Sequence, residues 1–180
     1  SGLLSAGILV ASGVMMLRTG AIALALNGAL FSPLLPALLT AAAVLGIGAA
    51  VLWFRSVQQE TPDLQIANPL EIGTAIKLAA LLAAVMLAAE LVRRMFGGIG
   101  VFVVAALSGV ADVDAVTISM ARMAGGDVDP NTAAHAIMIA IAVNTVSKTI
   151  VAGSVGNRKI GFLVGGISAA ALAAGLAVAI

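Results

Sequence analysis

Two carboxylates two residues apart, Asp112 and Asp114, lie in "LSGVADVDAVTISM" (107–120), inside a run that is otherwise apolar or weakly polar. A charge at the centre of a bilayer costs at least about 2.5–3.5 kcal/mol, so a pair of acids in one apolar span needs either partners or a task. Depth follows from 1.5 Å per residue. Counted from the polar turn at 124–131, Asp112 lies about 17 Å deep and Asn144, in the next apolar segment, about 18 Å deep. Thr145 neighbours Asn144, and Thr117 is one turn from Asp114. Carboxylate, amide and hydroxyl oxygens together suit a hard cation such as Mg²⁺, Ca²⁺ or Na⁺, or a proton, with Asp112 and Asp114 as the direct ligands and Lys148 tuning the charge. On an unbroken helix the two acids point about 200° apart. Ser108-Gly109 offers a break just before them, which makes Gly109 a gating candidate. A discontinuous helix would let both carboxylates converge and open backbone groups to an ion. If the helix is unbroken, one acid serves a pathway and the other meets a neighbouring helix.

The same acids have a purely structural alternative. Lys148 and Arg18 lie about 23–24 Å from the same side and could reach inward to neutralise Asp112, while Lys77 could approach Asp114. Glu71, after Asn68-Pro69, falls in a first helical turn, where a carboxylate complements the dipole, with a vestibule role as the second reading. Glu90 is spaced to pair with Arg93 and Arg94. His135 reads as an interfacial residue. "AGGDVDPN" (124–131) lacks the spacing and final Glu of an EF-hand and reads as a turn.

The surroundings that must position these residues are membrane helices. The chain of 180 residues is 62% hydrophobic and 9% charged. A soluble surface cannot be covered with so few ions, since about a quarter of residues in soluble domains are charged. Apolar runs are long and continuous, without the alternation of a β-barrel, so the backbone must be satisfied within helices. The fold class is therefore all-α, a polytopic integral membrane protein. No cysteine is present, which excludes disulfides and thiolate metal sites. A net charge of +1 with scattered bases gives no support to nucleic-acid binding.

Six segments of roughly 20 residues are long enough to span. They run over about 3–26, about 36–54 after a Pro33–Pro36 turn, from Pro69 to Arg94, about 99–123, about 132–153 and about 160–179, with "SVQQETPDLQIAN" (56–68) as the linker. With the N-terminus on side X, six alternating spans place Arg93, Arg94, Arg158 and Lys159 on side Y, against Arg55 and Arg122 on side X. The positive-inside rule then puts Y in the cytoplasm and both ends of this chain outside. An offset of 130 lays "AGILVASGVMMLRTGA" (6–21) over "AIMIAIAVNTVSKTIV" (136–151), matching Arg18 with Lys148, Thr19 with Thr149 and Val14 with Asn144. The chain then divides into a partial first repeat (1–55), the linker (56–68) and a complete four-helix repeat (69–180), with the matched helices running in the same direction. Two helices are expected to precede Ser1 in the parent protein. Small-xxx-small pairs at Gly161–Gly165 and Gly46–Ala50 imply close helix contacts.

"NPLEIGTAIKLAALLAA" (68–84), "SGVADVDAVTISMA" (108–121) and "VNTVSK" (143–148) carry a resemblance over essentially the whole chain. The chain resembles the C-terminal membrane domain of unknown function DUF4010, found after MgtC/SapB-type domains in bacterial proteins. That resemblance implies a bacterial inner (cytoplasmic) membrane location and an upstream MgtC-type partner domain, and it supplies no activity. The residues favour a transporter or channel that handles a small cation or proton through an intramembrane acidic site, without a resident cofactor beyond such an ion. The alternative is a non-transporting scaffold or regulatory domain. An intramembrane aspartyl protease needs two acids facing one water, from facing helices, and both acids here come from one segment, so no enzyme is expected. A homodimer within the lipid bilayer is the expected assembly.

Overall fold

The computed structural model describes residues 2–57, 76, 100–156 and 158–179. Helix α1 spans Gly2–Leu26, and a 3₁₀ turn at Gly28–Leu30 leads into α2, Phe31–Val57. Two short helices follow, α3 at Gly100–Ala111 and α4 at Val113–Met123. Helix α5 covers Pro130–Val151 and closes in a π turn at Ala152–Gly156, and α6 covers Arg158–Ala179. Pro33 and Pro36, expected to form a turn, lie instead in the first two turns of α2, and the Thr40 hydroxyl donates to the Pro36 carbonyl at 2.8 Å. The "AGGDVDPN" turn forms as read. Gly125 takes a φ of +82°, Asp129 caps α5 through Oδ1 to the Asn131 and Thr132 amides, and Pro130 opens the helix.

Four helices are long and apolar enough to cross a membrane: Gly2–Leu26, Gly28–Val57, Pro130–Ser154 and Arg158–Ala179. Large apolar side chains stand on their outer faces. Phe162, Phe54 and Ile47 are exposed at 81%, 70% and 65%, the reverse of a soluble surface. The chain is thus an all-helical membrane protein with four candidate spans among the described residues. The third expected span, with Glu71, Lys77, Glu90, Arg93 and Arg94, lies outside the described residues.

Lipid gives helices no hydrophobic reason to associate, so small residues bring the backbones together. A Cβ on Gly175 of α6 would stand 2.9 Å from the Ala37 carbonyl oxygen of α2, and one on Gly161 would stand 2.8 Å from the Gly153 Cα. Gly165 faces the Thr149 methyl. Gly46 differs from expectation: no atom comes within 4 Å of its missing Cβ among the described residues.

The directions of the helices correct the sequence reading. Arg18 meets Asp114 and Asn27 meets Ala121 and Ala124, so α1 and α4 run in the same sense. Lys148 reaches Met15, while the turn after α1 packs on α5, whose first residues follow the end of α4. Helices α1 and α5 are therefore antiparallel, not parallel. Helix α6 is antiparallel to α2, with Gly175 at Ala37 and Gly48 at Ile167. The two hairpins α1–α2 and α5–α6 thus run in opposite senses. Residues 2 and 179 stand at opposite ends of the bundle, and Arg158 and Lys159 join Arg55 at the end where α1 begins. Counting alternating spans along the chain puts Arg55 at its observed end but Arg158 and Lys159 at the opposite one.

Candidate functional site

The apolar run that holds the two acids is not one helix. The Asp112 amide still donates to the Ser108 carbonyl at 2.8 Å, completing the last turn of α3. Its own backbone is then extended, with φ −157° and ψ 110°, and its Oδ1 accepts from the Asp114 amide at 2.9 Å. Asp112 is the N-cap of α4. The break therefore sits at Asp112, three residues beyond the Ser108-Gly109 position expected from the sequence. Gly109 is a point of contact rather than the hinge. A Cβ there would lie 2.6 Å from both the Cα and the carbonyl oxygen of Ala140 in α5.

Breaking a helix frees carbonyls at one end and amides at the other. In an unbroken helix the Gly109 carbonyl would accept from the amide of Val113. Here it accepts from Asn144 Nδ2 of α5 at 3.0 Å. That bond sets the orientation of the amide, since only the nitrogen can donate to a carbonyl. Asn144 Oδ1 is then buried without a hydrogen-bond partner.

Helix α1 supplies the counter-charge. The Arg18 guanidinium lies 2.7 Å from Asp114 Oδ2, and Asp114 Oδ1 is buried and unpartnered. Lys148 of α5 donates to the Met15 thioether sulfur at 3.0 Å, a weak acceptor for an ammonium. Arg18, Met15, Asp112, Asn144 and Lys148, with Ala11, Val14 and Val113, line one pocket of about 320 Å³. Both members of two pairs matched by the 130-residue offset, Arg18 with Lys148 and Val14 with Asn144, face it.

The structure thus gathers Asp112, Asn144 and Lys148 around one space and reaches Asp114 through Arg18. It does not bring in the threonines. Thr117 and Thr145 are buried and donate to the carbonyls of Val113 and Ile141, four residues back on their own helices, each at 2.8 Å. Among the described residues no group of three or more His, Cys, Asp or Glu side chains comes together, so a divalent ion would find at most two carboxylates here, one of them already held by Arg18. Glu71 lies outside the described residues. His135, in the first turns of α5, is exposed and lines a separate apolar cavity of about 410 Å³ between α2, α5 and α6.

Asn27 escaped the sequence reading. Its Nδ2 donates to the carbonyls of Ala121 and Ala124 at 3.1 and 2.7 Å, closing the C-terminus of α4, and its Oδ1 accepts from the Ala29 amide. The available signal was an Asn-Gly pair directly after a long apolar run. Asn27→Ala is expected to lower stability in detergent by about 1–3 kcal/mol, because it leaves carbonyls unsatisfied; thermal unfolding followed by circular dichroism measures it.

The family described as "Domain of unknown function (DUF4010)" matches residues 1–156. An uncharacterized protein of Aquifex aeolicus (strain VF5) is 27% identical over 103 residues, which is 57% of this chain and 45% of that protein. The chain therefore matches less than half the length of that curated relative. No solved structure matches. The family match runs from α1 through the broken helix to the end of α5 and takes in every residue that lines the polar pocket, so the chain belongs to the DUF4010 family.

Proposed function

We propose that this membrane domain belongs to a transporter that handles a small cation or a proton at the pocket built on the α3–α4 break. One observation carries the reading. In a bundle with few charges, Asp114 gives one oxygen to Arg18 while its other oxygen, and Asn144 Oδ1, are buried acceptors without donors. Unsatisfied buried acceptors attract a proton or a cation. Arg18 acts as a tethered counter-ion in this scheme. The transported ion competes with Arg18 for the Asp114 carboxylate, and Arg18 closes the pair again when the ion leaves. Hairpins that run in opposite senses around a site at a broken helix are a transporter arrangement.

The setting is the bacterial cytoplasmic membrane. Arg55, Arg158 and Lys159 at the end where α1 begins make that end the cytoplasmic one by the positive-inside preference. Among the described residues nothing covers the face around Gly46, beside exposed Ile47, and a homodimer would cover it.

Reconstituted liposomes test the reading. With the full protein, an imposed proton or Na⁺ gradient is expected to drive flux, read by an internal pH dye or by ²²Na⁺. Asp114→Asn is expected to reduce it at least tenfold. Undiminished flux in Asp114→Asn would remove the proposal and leave the scaffold reading, in which Asp114 and Asp112 serve only as ion-pair partner and helix cap.

A further inference from the structure

The charges of the pocket do not close on one another. One acid, Asp112, and two bases, Arg18 and Lys148, line it, and of these only Arg18 forms an ion pair among the described residues, with Asp114 outside the lining. Lys148 has a thioether as its partner, and Asp112 uses one carboxylate oxygen to cap α4. Lys148 and Asp112 line the same space and make no ion pair with each other. Among the described residues the Lys148 ammonium and one Asp112 carboxylate oxygen thus face the pocket without a charged partner, each open to a ligand of the opposite sign. The cavity, about 320 Å³, falls at the low end of small-molecule sites, which run roughly 300–1,000 Å³.

We propose that this pocket binds a small zwitterion of the α-amino acid class. Its carboxylate sits on Lys148 Nζ, and its ammonium sits on the free oxygen of Asp112. The Arg18–Asp114 pair, already closed, stays out of the contact and remains available for the proton or cation. The inference rests on the same pocket as the transport reading and adds the class of its organic substrate.

Each charge of the ligand meets one charge of the pocket, so both must be present on one molecule. Lys148 selects against amines that lack a carboxylate, and Asp112 selects against simple carboxylates. The apolar wall from Ala11, Val14 and Val113 admits a short aliphatic side chain and offers nothing to a charged one.

Equilibrium dialysis of the full detergent-solubilised protein against radiolabelled glycine, L-alanine and L-valine tests this. Saturable binding of at least one is expected, displaced by the unlabelled amino acid but not by equal concentrations of acetate or ethylamine together. Asp112→Asn keeps the cap, because Asn is as good an N-cap as Asp, and it is expected to weaken binding at least tenfold. Lys148→Met is expected to do the same. No saturable binding to the wild-type protein would overturn the proposal, as would full displacement by acetate and ethylamine; both readings use the unaltered chain and do not depend on a variant folding. Binding without ion flux would leave this inference standing and remove the transport reading, and flux without binding would do the reverse.

Discussion

Replacing Arg18 by methionine is expected to destabilise the protein by about 2–3 kcal/mol, and adding Asp114→Asn to the same chain is expected to restore most of the loss. The reason is the environment of Asp114. Its side chain is 25% exposed, one oxygen is already without a donor, and Arg18 satisfies the other. Without Arg18 the carboxylate loses its partner. Fully buried pairs lose about 3–5 kcal/mol when one side is removed. The Arg18 side chain is 59% exposed, which reduces the figure. The asparagine in the double variant removes the stranded charge. Thermal unfolding of the two single variants and the double variant in one detergent gives the coupling directly. Additive losses would show that the two side chains meet without stabilising each other.

Gly109→Val is the second large effect. The added Cβ would land on the backbone of Ala140, with the Cα and carbonyl oxygen at 2.6 Å and the Cβ at 2.9 Å. A side chain can rotate out of a clash, but a helix backbone cannot, so α3 must move off α5. That movement also breaks the Asn144–Gly109 hydrogen bond. Overpacking costs typically 1–3 kcal/mol, and an orphaned buried carbonyl about as much again, so a loss of about 3–5 kcal/mol is expected. Gly7→Val is the control: Gly7 is also helical, with no atom within 4 Å of its missing Cβ, and it should be close to neutral. The fraction of protein that stays monodisperse after graded heating separates the two. Equal survival would mean that the α3–α5 contact is looser than the backbone distances require.

The helices that face lipid were legible because their signal is composition. Continuous apolar runs over 2–26 and 158–179 need no partner to identify them. The break in the acidic segment was legible in kind but misplaced. Gly109 drew attention as a flexible residue, whereas the extended residue is Asp112, whose carboxylate accepts from the amide two residues on. An Asp directly before an apolar helical run is itself a start signal, and here that signal is masked by its charge. The meeting of Asn144 with the acidic segment followed from depth alone, because consecutive antiparallel helices put equal depths together. The direction of α1 relative to α5 was not legible. A matched pair such as Arg18 and Lys148 aligns equally well whether the two helices run together or oppositely, and the sense was taken from counting spans. Asn27 was invisible for a different reason. Its partners are carbonyls 94 and 97 residues away, and backbone carbonyls carry no sequence.

The bonds that hold α4 bear on how the protein is made. Helix α4 has 11 residues, a length of about 16 Å, roughly half the hydrocarbon thickness. It carries Asp114 and Arg122 and begins at Asp112. A segment so short and polar has little tendency to leave a translocation channel for lipid unaided. Among the described residues the side chains that bond to its two ends from other elements, Arg18 near its start and Asn27 at its end, belong to α1 and the turn that follows it. Those residues emerge from the ribosome first. Insertion of the acidic half-helix is thereby templated by a hairpin already resident in the bilayer, and the order of synthesis becomes part of the folding mechanism.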